Sequence, residues 1–210
     1  MSSRRRGAGG RWVERQRKDV YVRQAKLAGY RSRAAFKLAQ LDRRDHLFKP
    51  GYRVVDLGAA PGGWSQYAAQ KVGASGRVLA VDIAPIDRLK DVTIIKADVC
   101  RAECFEAVRC HLGNRPADLV ISDMAPNISG VVSRDQALTM RLAETALRFA
   151  CSLLGPRGVL VVKVFEGEDT AAFRAQVEQR FEWHAIRKPA ASRNDSAEIY
   201  LLARALRPVP

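Results

Sequence analysis

Five short apolar runs dominate the middle of the chain: Arg53-Val-Val-Asp-Leu-Gly, Arg77-Val-Leu-Ala-Val-Asp, Val92-Thr-Ile-Ile-Lys-Ala-Asp, Asp118-Leu-Val-Ile-Ser-Asp and Gly158-Val-Leu-Val-Val-Lys-Val-Phe. Each is nearly continuous in apolar character, the pattern of a strand buried on both faces of a parallel sheet. Helices are predicted around them over about 63–72, 102–112 and 134–154. Upstream, Ser32 reads as the N-cap of a helix whose apolar stripe is Phe36, Leu38 and Leu41, stopped near Lys49-Pro50-Gly51.

The end of the chain breaks this alternation. After a helix at about 169–180 come two strand-like stretches, Glu182 to Lys188 and Glu198 to Ala205, with only the loop Pro189 to Ala197 between them. Strand, loop and strand without a helix imply antiparallel pairing. The fold class is therefore α/β: a Rossmann-like, doubly wound sheet, mostly parallel, closed by an antiparallel C-terminal strand pair. That closure is the arrangement of class I methyltransferases, whereas a dinucleotide-binding fold continues with parallel units.

A chain of 210 residues with 47% hydrophobic and 28% charged residues suits one globular domain. No apolar run approaches the roughly 20 residues that span a bilayer, and no apolar stretch follows the basic N-terminus as in a secretory signal. The expectation is a cytoplasmic protein without membrane contact. Cys100, Cys104, Cys110 and Cys151 lack metal-ligand spacing and His46, His111 and His184 are scattered, so no metal site is expected. Residues 1–37 hold twelve Arg or Lys against two acidic residues, ten of the net charge of +14. Such a segment attracts polyanions by releasing condensed counterions. Trp12, Tyr21 and Tyr30, interleaved with those charges, could stack on unpaired bases, although a solvated basic tail has the same composition. The division expected is a basic, partly disordered RNA-binding segment over 1–30, disordered to about 18, and a single domain over 31–206.

Asp56-Leu-Gly-Ala-Ala-Pro-Gly-Gly-Trp64 joins the first strand to its helix, where open α/β sheets bind ligands. Its glycines are not spaced as G-x-G-x-x-G, and Pro61 removes an N–H that a phosphate cradle would use. A cofactor without phosphates tolerates that loss. Asp82 ends the second strand, where it can accept from both ribose hydroxyls of an adenosine, and Asp98 ends the third, within reach of an adenine amino group. Asp123 and Lys163 lie at or near the ends of apolar strands, where a charge is costly unless paired or functional. Singly, Lys163 also reads as a snorkelling side chain, Lys37 as a solvated helix lysine and Glu198 as an edge charge.

Taken together, Asp56-Leu-Gly-Ala-Ala-Pro-Gly-Gly-Trp-Ser, Ser122-Asp-Met-Ala-Pro-Asn and Val162-Lys-Val-Phe resemble the FtsJ/RrmJ (RlmE) family of ribose 2′-O-methyltransferases of large-subunit ribosomal RNA, from about Gly29 to Leu202. The resemblance implies S-adenosylmethionine as cofactor and a catalytic tetrad of Lys37, Asp123, Lys163 and Glu198. It also implies cofactor contacts from Gly62, Trp64, Asp82, Asp98 and Asp123. It further implies large-subunit rRNA as partner, with a uridine in the A-loop of the assembled large ribosomal subunit as target. Nothing in the sequence suggests an obligate dimer, and a monomer is expected.

Methyl transfer to a ribose hydroxyl is an in-line displacement by a weak nucleophile, which the enzyme must align and help to lose its proton. Lys163 is assigned as general base, or at least as the group that orients the hydroxyl lone pair. Asp123 would fix Lys163, and Glu198 would accept from the hydroxyl or steer Lys37. Asp123-Met-Ala-Pro offers no aromatic to stack a base, which disfavours methylation of a base amine. A tRNA or mRNA-cap ribose, a nicotinamide oxidoreductase and a non-enzymatic assembly factor are the rival readings. The loop Ser192 to Ala197 carries one basic residue and Asp195, so RNA contact is expected from the N-terminal segment, with Arg187 and Lys188 helping.

Overall fold

The computed structural model describes residues 19–126, 130, 132–193 and 196–208. The disorder expected to about residue 18, the stacking role given to Trp12, and Asn127 and Asp195 lie outside them. Helices are α1 (Val20–Leu27), α2 (Ala34–Asp45), α3 (Gly63–Val72), α4 (Ala102–Leu112), α5 (Val132–Leu153) and α6 (Glu168–Arg180). Strands are β1 (Arg53–Leu57), β2 (Arg77–Asp82), β3 (Val92–Lys96), β4 (Ala117–Ser122), β5 (Leu154–Phe165), β6 (Phe181–Arg187) and β7 (Glu198–Leu206).

The seven strands form one sheet in the order β3-β2-β1-β4-β5-β7-β6. The first five are parallel, and β7 pairs antiparallel with both β5 and β6. Strand order reverses between β1 and β4, which opens a crevice at their carboxyl ends. Because β7 runs the opposite way, its first residues sit at that same edge, with Glu198 opposite Phe165 and Tyr200 opposite Lys163.

Side chains on β5 alternate between two cores. Leu160, Val162 and Val164 pack with Leu147, Phe149, Phe173 and Val177 from α5 and α6. Val159 and Val161 pack on the other face with Leu38 and Leu41 of α2 and Trp64 and Tyr67 of α3. Burying each of these larger side chains contributes about 1.5–3 kcal/mol. Period two then puts Lys163 on the face of Val159 and Val161, beneath α2. That parity directs a lysine at the end of β5 toward Lys37.

Two expectations need correction at the N-terminal side. Ser32 does not cap α2: Arg33 holds the N-cap position, and no side chain bonds the free N–H groups there. A Cβ on Gly63 would overlap Ser32 Oγ, so the serine packs against the start of α3 instead. The segment before it contains a helix that the sequence reading did not separate. Asp19 caps α1 by accepting from the Tyr21 N–H at 3.0 Å, and Ala25 is buried. Tyr21 and Tyr30 both pack on Phe36, with ring centroids 5.8 and 5.9 Å apart, and the Tyr30 hydroxyl donates to Gln70. These rings help to anchor α1 to the domain.

Candidate active site

The crevice at the switch point holds a cavity of about 280 Å³ lined by Gly58, Ala60, Asp82, Asp98, Asp123 and Met124, among others. Backbone geometry opens it. Gly58 has φ +76, and a Cβ there would run into the side chain and backbone of Met124. Asp82 fixes the loop above β1 to the end of β2: its two oxygens accept from Ala60 N–H and Ala84 N–H, each at 2.8 Å. Asp98 accepts from the Cys100 N–H at 2.9 Å. Both carboxylates line the cavity, so its wall is rich in acceptors, as hydroxyl and amino groups of an adenosine require.

Gly62 and Trp64 do not line that cavity. Gly62 lies under Leu89 and Arg31, where a Cβ would not fit. Arg31 crosses to this loop, donating to the carbonyls of Pro61, Asp87 and Arg88. The Trp64 ring is buried, its Nε1–H bonds the Ala34 carbonyl at 2.7 Å, and it packs on Tyr200 at 5.7 Å. The indole therefore braces α3 against α2 and β7.

Beneath the loop, Asp56 is fully buried in β1. Ser65 Oγ donates to its Oδ2 at 2.6 Å, and its Oδ1 has no hydrogen-bond partner among the described residues. Burial pushes its carboxyl up to about 7, and the carboxylates of Asp123 and Asp82 act in the same direction, against the Ser65 hydrogen bond. The sequence reading had not singled out Asp56.

On the other side of Asp123 the structure brings the four charged residues of the expected tetrad together. Lys163 is buried; its Nζ donates to the Asp123 carbonyl at 2.5 Å and lies 3.1 Å from Asp123 Oδ1. Lys37 Nζ lies within 2.8 Å of both oxygens of Glu198. The two ion pairs are joined by a residue that sequence reasoning missed. The Tyr200 hydroxyl sits 2.7 Å from Asp123 Oδ1 and 3.2 Å from Glu198 Oε1, and it has one proton to give, which the shorter contact assigns to Asp123. Burial, then the two carboxylates, hold the Tyr200 phenol well above its ordinary range, so it stays a donor. Ser192 Oγ donates to Glu198 Oε1 at 2.8 Å and completes that carboxylate's shell. The missed signal was period two: Glu198 and Tyr200 share one face of β7.

The two residues expected to help the N-terminal segment bind RNA lie at the end of β6 and just after it. Arg187, expected to help bind RNA, is engaged by Asp45 through its Nε and one terminal nitrogen at 2.7–3.1 Å. Lys188 donates to the Ser196 carbonyl at 3.0 Å, across the loop before β7. Among the described residues no three His, Cys, Asp or Glu group as a metal site, and no helix is long and apolar enough to cross a membrane.

The chain has relatives among known proteins. Residues 30–206 match the family described as FtsJ-like methyltransferase. The chain belongs to that family. A Halorhodospira halophila protein named Ribosomal RNA large subunit methyltransferase E is 52% identical over 190 residues, covering 90% of each chain. One of the same name from Marinobacter nauticus is 49% identical over 197 residues, covering 94% of this chain and 95% of its own. A Plasmodium falciparum crystal structure described as a ribosomal RNA methyltransferase superposes with a TM-score of 0.74 at 24% identity, covering 84% of this chain and 98% of that one. In this FtsJ-like methyltransferase the acceptor-rich cavity and the four charged side chains meet at Asp123, which lines the one and pairs with Lys163 of the other.

Proposed function

We propose that this chain transfers the methyl group of S-adenosylmethionine to a ribose 2′-hydroxyl of large-subunit ribosomal RNA, its target a uridine of the A-loop on the assembled large subunit. The observation that carries this reading is the buried Lys163 side chain, held by Asp123 at the edge of the cofactor-sized cavity and linked through Tyr200 to Glu198 and Lys37. The names of its relatives support the choice of RNA.

S-Adenosylmethionine supplies an electrophilic methyl group on a sulfonium. Asp82 is placed for the ribose hydroxyls of the adenosyl group, Asp98 for its amino group, and Asp123 for the part nearest the acceptor. Gly62 and Trp64 act from beneath, the glycine by letting Leu89 and Arg31 close over the loop and the indole by bracing α3. Two contacts to Asp123 leave Lys163 one N–H or its lone pair to orient the acceptor hydroxyl toward the methyl group. Glu198, fixed by Lys37 and Ser192, is placed to accept the hydroxyl hydrogen bond. Alignment of this kind, with assistance to proton loss, is where the rate advantage arises. The reading includes a cytoplasmic monomer that needs no metal, with residues 31–206 as the methyltransferase domain and 1–30 as an RNA-binding arm.

The test is transfer of radiolabelled methyl to undermethylated large ribosomal subunits, beside free rRNA and tRNA, with nuclease mapping of the labelled nucleotide. Label in a 2′-O-methyl nucleoside of the subunit is the expected result. Label confined to tRNA changes the substrate; no label in any RNA, from protein that binds the cofactor, overturns the reading.

A further inference from the structure

Two loops form the rim of the cofactor cavity: residues 58–62 after β1, and residues 83–91 between β2 and β3. They are joined from both sides. On the cavity side the Asp82 carboxylate accepts from the Ala60 N–H of the first loop and the Ala84 N–H of the second. On the outer side one guanidinium joins their carbonyls. Arg31 Nη1 donates to the Pro61 carbonyl at 3.2 Å and to the Asp87 carbonyl at 2.7 Å, and its Nη2 donates to the Arg88 carbonyl at 2.8 Å. Among the described residues, the backbone groups of 85–89 make no other hydrogen bond. Ile83, at the start of the second loop, lines the cavity and is 69% exposed, an apolar surface that a bound adenosyl group would cover.

Arg31 itself belongs to neither loop. It lies in the linker between α1 and α2, which Gln66 of α3 holds with both ends of its amide. Oε1 accepts from the Arg31 N–H at 2.8 Å, and Nε2 donates to the Gly29 carbonyl at 3.1 Å. Tyr30, between them, is anchored by Phe36 and Gln70. The backbone of Arg31 is therefore fixed before its side chain crosses to the rim. Three of its five donors are used there, from a planar fork that a lysine ammonium, a single point, does not reproduce. Gly62 makes room for the crossing: a Cβ on it would meet Leu89 Cδ1 at 2.7 Å and Arg31 Nη1 at 3.3 Å.

We propose that Arg31 is a positioning residue for S-adenosylmethionine: through it, the linker that docks α1 holds the two loops of the rim in place, and a loosened linker loosens the pocket. The inference rests on the reading of this cavity as the cofactor site. Arg31 does not line the cavity, so it acts through Pro61, Asp87 and Arg88 rather than by touching the cofactor. Lys163, Tyr200, Glu198 and Lys37 lie on the other side of Asp123, and their alignment of the acceptor does not depend on it. One of the twelve basic residues among residues 1–37 thereby serves the cofactor and not the RNA.

The experiment compares full-length wild type, R31A, R31K, Q66A and R31A/Q66A. Affinity for S-adenosylmethionine and S-adenosylhomocysteine is read by titration calorimetry without RNA. Methyl transfer to undermethylated large subunits gives the cofactor KM and kcat. R31A is expected to weaken both ligands about tenfold and to raise the cofactor KM to match, with kcat within about twofold of wild type. R31K keeps the charge without the fork and recovers only part of the loss. Q66A should cost about threefold, the loss of neutral hydrogen bonds, and R31A/Q66A should bind no more weakly than R31A, because Gln66 acts through Arg31. Unchanged cofactor affinity in R31A overturns the proposal. So does a double variant whose loss equals the product of the two single losses, or an R31A whose kcat falls while cofactor KM stays put. Should R31A not fold, Q66A decides: a weakened cofactor with unchanged kcat supports the proposal, and unchanged affinity overturns it. If wild type binds the cofactor but methylates no RNA, the proposed function fails, and the calorimetry still decides the role of Arg31.

Discussion

The carboxylates on the two sides of Asp123 are held in different ways. On the cofactor side, Asp82 and Asp98 are fixed by backbone N–H groups: Ala84 and Cys100 just beyond their own strand ends, and Ala60 in the loop after β1. On the acceptor side, Asp123 and Glu198 are fixed by side chains: Lys163, Tyr200, Ser192 and Lys37, drawn from α2, β5, β7 and the loop before β7. The cofactor half is therefore a property of loops on a parallel sheet, tolerant of side-chain change within those loops but intolerant of an added methyl group on its backbone. The acceptor half is a network in which each member positions the next, and deletion of one side chain exposes a buried charge.

The comparison is broken most sharply at Lys163. Lys163→Ala is expected to lower kcat by about 10²- to 10⁴-fold, the usual worth of a group that assists proton transfer, while cofactor affinity measured by titration calorimetry stays largely intact. Near-wild-type turnover would remove Lys163 from the acceptor half. Gly58→Ala tests the opposite half. The new methyl group meets Met124 at a residue with positive φ, so a stability loss of about 1–3 kcal/mol and a weakened cofactor are expected by thermal melting and calorimetry. Unaltered cofactor affinity would show that the loop has room the structure denies it.

Tyr200→Phe sharpens the contrast inside the acceptor network. It keeps the ring against Trp64 and deletes the hydroxyl, leaving Asp123 short of one donor. Turnover should fall about tenfold and stability by about 1 kcal/mol, with the cofactor bound as before. A change confined to cofactor affinity would place Tyr200 in the other half.

The remaining test touches neither ligand and concerns Asp56, which lies beneath both halves. Its carboxyl is raised to about 7 in the folded protein, so between the unfolded value and that pH the native state binds the extra proton. Its stability contribution is fully present below the unfolded value and is lost as pH rises through about 7. The slope cannot exceed about 1.4 kcal/mol per pH unit from this one group. Asp56→Asn should flatten the fall in melting temperature between pH 5 and pH 8. A profile parallel to wild type would mean that Asp56 is ionised throughout.

Much of the fold was legible because strand runs and helix stripes are local hydrophobic patterns: the order of elements, the antiparallel pair and the loop from Asp56 to Trp64 all followed from them. Asp82, Asp98 and Asp123 were legible for the same reason, as charges ending apolar strands. Ser32 misled because a capping residue type was present where its side chain packs against Gly63 instead. The partner of Arg187 was not legible, because a basic residue beside a loop looks free until Asp45 is brought to it from the end of α2. Tyr200 was overlooked because a tyrosine in an apolar strand resembles any other core residue.

By itself, then, the sequence determined which segments become strands and which polar residues stand at their ends, since both depend on periods of two and 3.6 residues along the chain. The tertiary structure alone decided that Lys37 meets Glu198, 161 residues away, and that Tyr200 stands between Glu198 and Asp123. Those contacts depend on β7 entering between β5 and β6 in one register. A slip of one residue would turn Glu198 and Tyr200 to the other face of the sheet. That register is set by the burial of Leu201, Leu202 and Ala203 on both sides of the sheet, a condition met only when the whole core assembles.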